Sequence, residues 1–211
     1  MAMLDIPFVK SPSENACALA SYTMVAKYFF PETSIEKISK ISQWKPRYVV
    51  WAFKFWLWLT DKGIKVTEYD RIDYKAWAEE GIEGLKESTS KKEFDFYRYN
   101  TKDINSYSAD IQKLLRHKNF MHKKKNPAIA DLDNALNEGF PCEIVLNSQV
   151  LDNGKQFTLH RVIPLKITKN FVTFHDPDFG PARKVRRDLF KKSWLGIEEP
   201  ELCIYQRSSI F

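Results

Sequence analysis

The sequence predicts an α+β fold in which a helical half packs on an antiparallel sheet. Three observations carry the prediction. An Ala-, Leu- and Met-rich run over 16–30 reads as a helix. The stretch 71–126 is polar, highly charged and helix-biased. After Gly139 the pattern changes to short apolar runs separated by turns, at 140–147, 157–168, 170–178 and 201–207.

Taken in order, 4–10 ("LDIPFVK") has the look of an opening strand, and 11–15 is a polar, turn-forming segment. The helix that follows is stopped by Pro31. Thr33 and Glu36 have the spacing of a capping box for a short helix through about Ser42. Pro46 is placed to open an aromatic helix, "RYVVWAFKFWLWLTDKG", with Gly63 as its stop. "IKVTEYD" alternates as a strand.

The charged stretch contributes expected helices at 73–89 and 108–125, and reads as an insertion at about 71–126 in a single domain spanning 1–211. A helix over 128–139 precedes the strand 140–147. A hairpin turning near Lys169–Asn170, a short helix over 186–194 and a closing strand at 201–207 complete the list.

Composition narrows the function classes. At 44% hydrophobic and 14% aromatic residues, 211 residues suffice for a sizeable core. The net charge of +6 comes from 33 basic residues mixed among 27 acidic ones, which argues against a simple polyanion binder. The basic clusters at 116–125 and 183–192 read as solvated faces, with His117 and His122 among them, so nucleic acid is not an expected partner. No metal-ligand spacing or Gly-rich phosphate loop is present, and no cofactor or metal is expected.

The three cysteines lack a CxxC pair and fit a reducing compartment, and the N-terminus is interrupted too early for a signal peptide. The longest apolar run, 48–59, is broken by Lys54 and is too short to span a membrane. The expectation is a cytoplasmic protein without a transmembrane segment, its oligomeric state left open.

Cys142 and Cys203 sit in apolar strands and read as small core residues. Cys17 differs, because it stands where the polar turn ends and the helix begins. There a thiol meets unpaired N–H groups and the positive end of the helix dipole, which favour the nucleophilic thiolate. A base is required as well. With a turn at Lys169–Asn170, paired residue numbers sum to about 339, which puts His160 opposite about residue 179, close to Asp176 and Asp178. A carboxylate beside an imidazole fixes its tautomer and stabilises its charged form. His175 adjoins Asp176 but should point to the other strand face. Asp178 reads as a turn residue and the alternate carboxylate.

The segments "IPFVKSPSENACALASYTMVAKYF" and "GFPCEIVLN…FTLHRVIPLKITKNFVTFHDPDFGPARKVRRDLFKKSW" resemble the double-glycine (bacteriocin-processing) leader peptidases, a family of papain-like cysteine peptidases. The likeness covers roughly 4–70 and 127–205. It consists of an opening "IP", a Cys at a helix start, a G-x-P strand, a His opening a strand, an "xDP" after the next strand and a basic helix ending in Trp. The resemblance implies a papain-like fold, with Cys17 as nucleophile, His160 as general base and Asp176 as the orienting carboxylate. It also implies a peptide or isopeptide bond as substrate and a thioester intermediate.

Two positions depart from the family. Where it usually has Gln five or six residues before its Cys, this chain has Pro12 and Ser11, and Ala18–Leu19 replaces Gly-Pro after the Cys. Asn15 carries an amide that could serve as an oxyanion-hole donor beside the Cys17 N–H, as could the hydroxyl of Ser11 or Ser13. The departures give the alternative reading, an inactive papain-like domain that binds a peptide or protein in the former cleft.

Overall fold

The computed structural model describes residues 3–208. The first helices are α1 (Cys17–Phe29), α2 (Ile35–Ser42) and α3 (Phe53–Asp61), followed by strand β1 (Ile64–Asp70). Helices α4 (Tyr74–Glu80), α5 (Ile82–Ser88), α6 (Lys91–Asn100) and α7 (Ser108–Leu115) lead to β2 (Phe120–Lys124). Then come α8 (Ile129–Asn137), β3 (Cys142–Asn147), α9 (Ser148–Leu151), β4 (Leu159–Ile167) and β5 (Phe171–Asp176). The chain closes through β6 (Gly180–Arg186), α10 (Arg187–Leu195) and β7 (Glu201–Arg207).

The strands form one seven-stranded sheet in the order β2-β1-β7-β3-β4-β5-β6. Only β1 and β2 run parallel; the other neighbours are antiparallel. Two apolar clusters cover the sheet. One joins α1, α3, α4 and α7 to Ile64, Val66, Ile163 and Tyr205, and the other joins α8 and α10 to Ile144, Leu146, Val162 and Phe174. The helices occupy both faces, and the expected α+β layout holds.

Several local expectations are corrected. The 4–10 segment is extended but belongs to no strand; it is pinned where Leu4 N–H donates to the Leu165 carbonyl and Ser11 N–H to that of Pro177. Ser34, not Thr33, caps α2 by accepting from Lys37 N–H. The aromatic helix begins only at Phe53, because Val49 bridges to Thr101 and its N–H donates to Asn100. The expected helix 108–125 stops at Leu115, and its basic tail is β2, with His122 paired to Glu68. Neither α9 nor β6 was expected.

Trp77 is fully buried in the first cluster, with its ring 4.8 Å from that of Trp51 and 5.4 Å from that of Phe53. Trp77→Ala leaves a cavity that rigid neighbouring rings cannot fill. Urea unfolding should show a loss of about 3–5 kcal/mol. Tyr99→Ala, at a position 77% exposed, should change stability by less than about 0.5 kcal/mol.

Candidate active site

Cys17 is the first residue of α1, directly after the Ala16 cap, with no acidic residue in the helix's first turn to offset the dipole. The turn before it closes through Asn15, whose φ of 61° lies in the left-handed region that Asn tolerates better than most residues. One helical turn after Cys17, on the same face, the Ser21 hydroxyl donates to the Arg161 carbonyl at 3.2 Å. Buried Ala16 and Ala20 let the helix approach closely. This face of α1 is thereby held against β4 beside His160.

His160 is the second residue of β4 and only 5% exposed. The hairpin keeps the expected register at Ile167↔Val172 and Lys166↔Thr173, then shifts by one at an irregularity between Pro164 and Lys166, so that Ile163 faces His175. The Leu165 carbonyl at this irregularity accepts from Leu4 N–H. Asp176, the last residue of β5, meets the ring: His160 Nε2 and Asp176 Oδ1 are 2.7 Å apart. Asp178 follows in the turn, half exposed, with Oδ2 3.5 Å from His160 Nδ1.

Asp176 is heavily satisfied. Its Oδ1 also accepts from the N–H groups of Asp178 and Phe179, and Oδ2 accepts from Arg183 at 2.9 Å. Burial opposes its ionisation, yet His160, Arg183 and the turn N–H groups together bring its pKa down to about 2. Burial likewise opposes a charged His160, but the hydrogen bond to Asp176 and the adjacent Cys17 thiol raise its pKa to about 10. The pair is a carboxylate and an imidazolium at neutral pH. The imidazolium favours the folded state fully below about pH 6.5, and that contribution is lost as pH rises through about 10.

His175 is excluded from this chemistry by its own hydrogen bonds. Its Nε2 donates to the Ile6 carbonyl at 2.7 Å while Nδ1 accepts from Ala182 N–H, an arrangement only the neutral ring satisfies. Burial lowers its pKa in the same sense. The residue anchors the N-terminal segment.

A cavity of about 270 Å³ opens at Cys17 and His160, with Asn15 in its lining and Trp51, Tyr97 and Val145 among its walls. Ser11 is not in that lining; its hydroxyl is buried without a partner among the described residues. Of the three residues considered as oxyanion donors, Asn15, Ser11 and Ser13, Asn15 alone lines the cavity.

Sequence reasoning missed the cavity's charged wall. Arg161 donates to Glu143 at 2.5 Å and to Glu201 at 2.7 Å. Arg161 follows His160 directly, so its strand position was known, but its partners lie on two other strands. His122, expected to be solvated, is bonded to Asp70 at 2.8 Å and stacked on Tyr74. Cys142 and Cys203 are buried, as expected. Among the described residues no cluster of His, Cys, Asp and Glu has the makings of a metal site, and no helix is long and apolar enough to cross a membrane.

No protein-family model matches the chain, and no curated protein matches it. Solved structures do. A double glycine motif protease from an AMS/PCAT transporter, crystallised in complex with the leader peptide, superposes with a TM-score of 0.52 at 14% identity, covering 98% of this chain and 94% of that one. A C39-like peptidase from Bacillus anthracis gives 0.50 at 15% identity, covering 99% and 100%. The class this defines is the papain-like fold. Within it, the chain has the fold of the double-glycine and C39-like peptidases over nearly its whole length.

Proposed function

We propose that the protein is a cysteine peptidase, or more broadly a thiol hydrolase acting on a peptide or isopeptide bond. The observation that carries this reading is the placement of His160 between the Cys17 thiol and Asp176 at the mouth of a cavity. Asp176 occupies Nε2 and fixes the ring, leaving Nδ1 to exchange a proton with the thiol. The Cys17 thiolate attacks the carbonyl carbon, and the resulting oxyanion is met by the Cys17 N–H and the Asn15 side-chain amide. The His160 imidazolium protonates the leaving amine as the C–N bond breaks, and a thioester remains. Neutral His160 then takes a proton from water, whose oxygen attacks the thioester, and the acid product leaves with the thiolate restored.

The test is incubation with a diverse peptide library and identification of products by mass spectrometry. Cleavage by the native protein that disappears in Cys17→Ala supports the reading; no cleavage by the native protein contradicts it. A second reading, peptide binding without turnover, is favoured by Ser11 and Pro12 standing where the resembling family has its Gln. Equal peptide binding by native protein and Cys17→Ala, with no products from either, is the result that reading expects.

A further inference from the structure

We infer that the groove leading away from Cys17 selects a peptide segment with a basic side chain, which the Glu201 carboxylate recognises. The inference rests on the peptidase reading and adds a substrate class to it. The cavity at Cys17 adjoins a second hollow of about 280 Å³, with Val145, Leu159 and Glu201 in the lining of both. Glu93, Glu198 and Glu199 line the second hollow, with Lys92 as its one cation among the described residues. The first is lined by Arg161, His160 and, exposed at its rim, Arg47, so the excess of acids belongs to the second hollow. In a chain carrying +6 overall, the acids of the second hollow outnumber its cation.

The carboxylates are short of positive partners. Arg161 serves both Glu143 and Glu201, so one guanidinium faces two acids. It bonds Glu201 through Oε2, and no donor among the described residues reaches Oε1. Glu199 Oε2 is buried without a hydrogen-bond partner among the described residues. Burial, with Glu93, Asp70 and Glu201 nearby, pushes Glu199 up to about 8, and burial raises Glu201 as well. An entering cation would supply the missing charge.

The walls suit the rest of such a side chain. Tyr97, Phe96 and Leu159 are common to both hollows and offer apolar surface to an aliphatic stem. The aromatic rings also attract a cation over their faces. An acidic side chain would meet Glu201 directly, and glycine would leave the groove unfilled.

Peptidyl acyloxymethyl ketones test this, with Lys, norleucine or Glu at each of the three positions before the warhead. The readout is the rate of Cys17 labelling by mass spectrometry, beside the rate with iodoacetamide. At one of the positions Lys should label at least about tenfold faster than its uncharged counterpart norleucine, and Glu slowest of the three. Glu201→Gln should abolish most of that advantage. Labelling that is indifferent to Lys, norleucine and Glu overturns the groove assignment while leaving the peptidase reading intact. If iodoacetamide labels Cys17 and no peptidyl probe does, both fail. Should Glu201→Gln not fold, the comparison of probes on the native protein decides alone.

Discussion

On the peptidase reading, His160→Ala is expected to lower peptide turnover by on the order of 10⁴-fold or more, because nucleophile and base would then act as one unit. The side chain is nearly buried and bonded to Asp176, with Asp178 3.5 Å away, so the variant removes the ring and leaves Asp176 with Arg183. The two aspartates separate by the same measurement. Asp176 is buried and its Oδ1 lies 2.7 Å from the ring, so Asp176→Ala should cost a large part of the activity. Asp178 is 53% exposed and 3.5 Å away, so Asp178→Asn should change the rate by less than about fivefold, the scale of an exposed ion pair. Equal losses at the two positions would mean that the orienting carboxylate has been misassigned.

Arg161→Met is expected to destabilise the fold about as much as Trp77→Ala, for an electrostatic reason. Arg161 is the shared partner of Glu143 and Glu201, and its guanidinium lies over the Tyr22 ring. Removing one member of a buried ionic group leaves the others uncompensated, at a cost of about 3–5 kcal/mol. For a chain of this size that corresponds to a Tm lower by roughly 6–20 °C.

The deficit depends on pH in a definite direction. Burial already pushes Glu143 up to about 7 against the pull of Arg161. Its contribution to stability is complete below about pH 4.3, its unfolded value, and is lost as pH rises through about 7. Without Arg161 the folded-state carboxyls rise further, so the variant's deficit should be larger at pH 8 than at pH 5. Adding Glu143→Gln and Glu201→Gln to Arg161→Met removes the unpaired acids and should recover more than half of the loss at pH 8. Melting curves at the two pH values check both statements; a deficit independent of pH would mean that packing of the Arg161 stem, not charge, dominates.

What the sequence conveyed about the site depended on how local each signal was. Cys17 was found because a polar turn and a small-residue helix meet at one residue. His160 and Asp176 came together in an arithmetic of one hairpin, and its register holds for the two pairs nearest the turn before the shift by one. Arg161, Glu143 and Glu201 lie on three strands that neighbour one another in the sheet but are far apart in the chain. No periodicity announces such a group; apart from tertiary structure, an Arg and two Glu in otherwise apolar strands are its only trace. The strand β2 was hidden by composition. His122 and Phe120 alternate with Met121 and Lys123, but the surrounding Lys and Arg residues made the run look like a solvated helix. In the fold, Phe120 packs on Trp56 and His122 reaches buried Asp70, which gives this basic strand an apolar and a polar anchor. Asn15 and Ser11 could not be ranked from spacing alone, since the turn's left-handed residue decides which of them reaches the cavity.

Whether Cys17 and His160 work as a pair can be read from the reactivity of the thiol. The rate of Cys17 alkylation by iodoacetamide is followed by mass spectrometry at pH 6 in the native protein and in His160→Ala. An imidazolium next to a thiol promotes its reaction, so if the two are paired the native protein should react at least about tenfold faster than the variant. Equal rates would contradict the pairing and leave Cys17 as a cysteine that merely starts a helix.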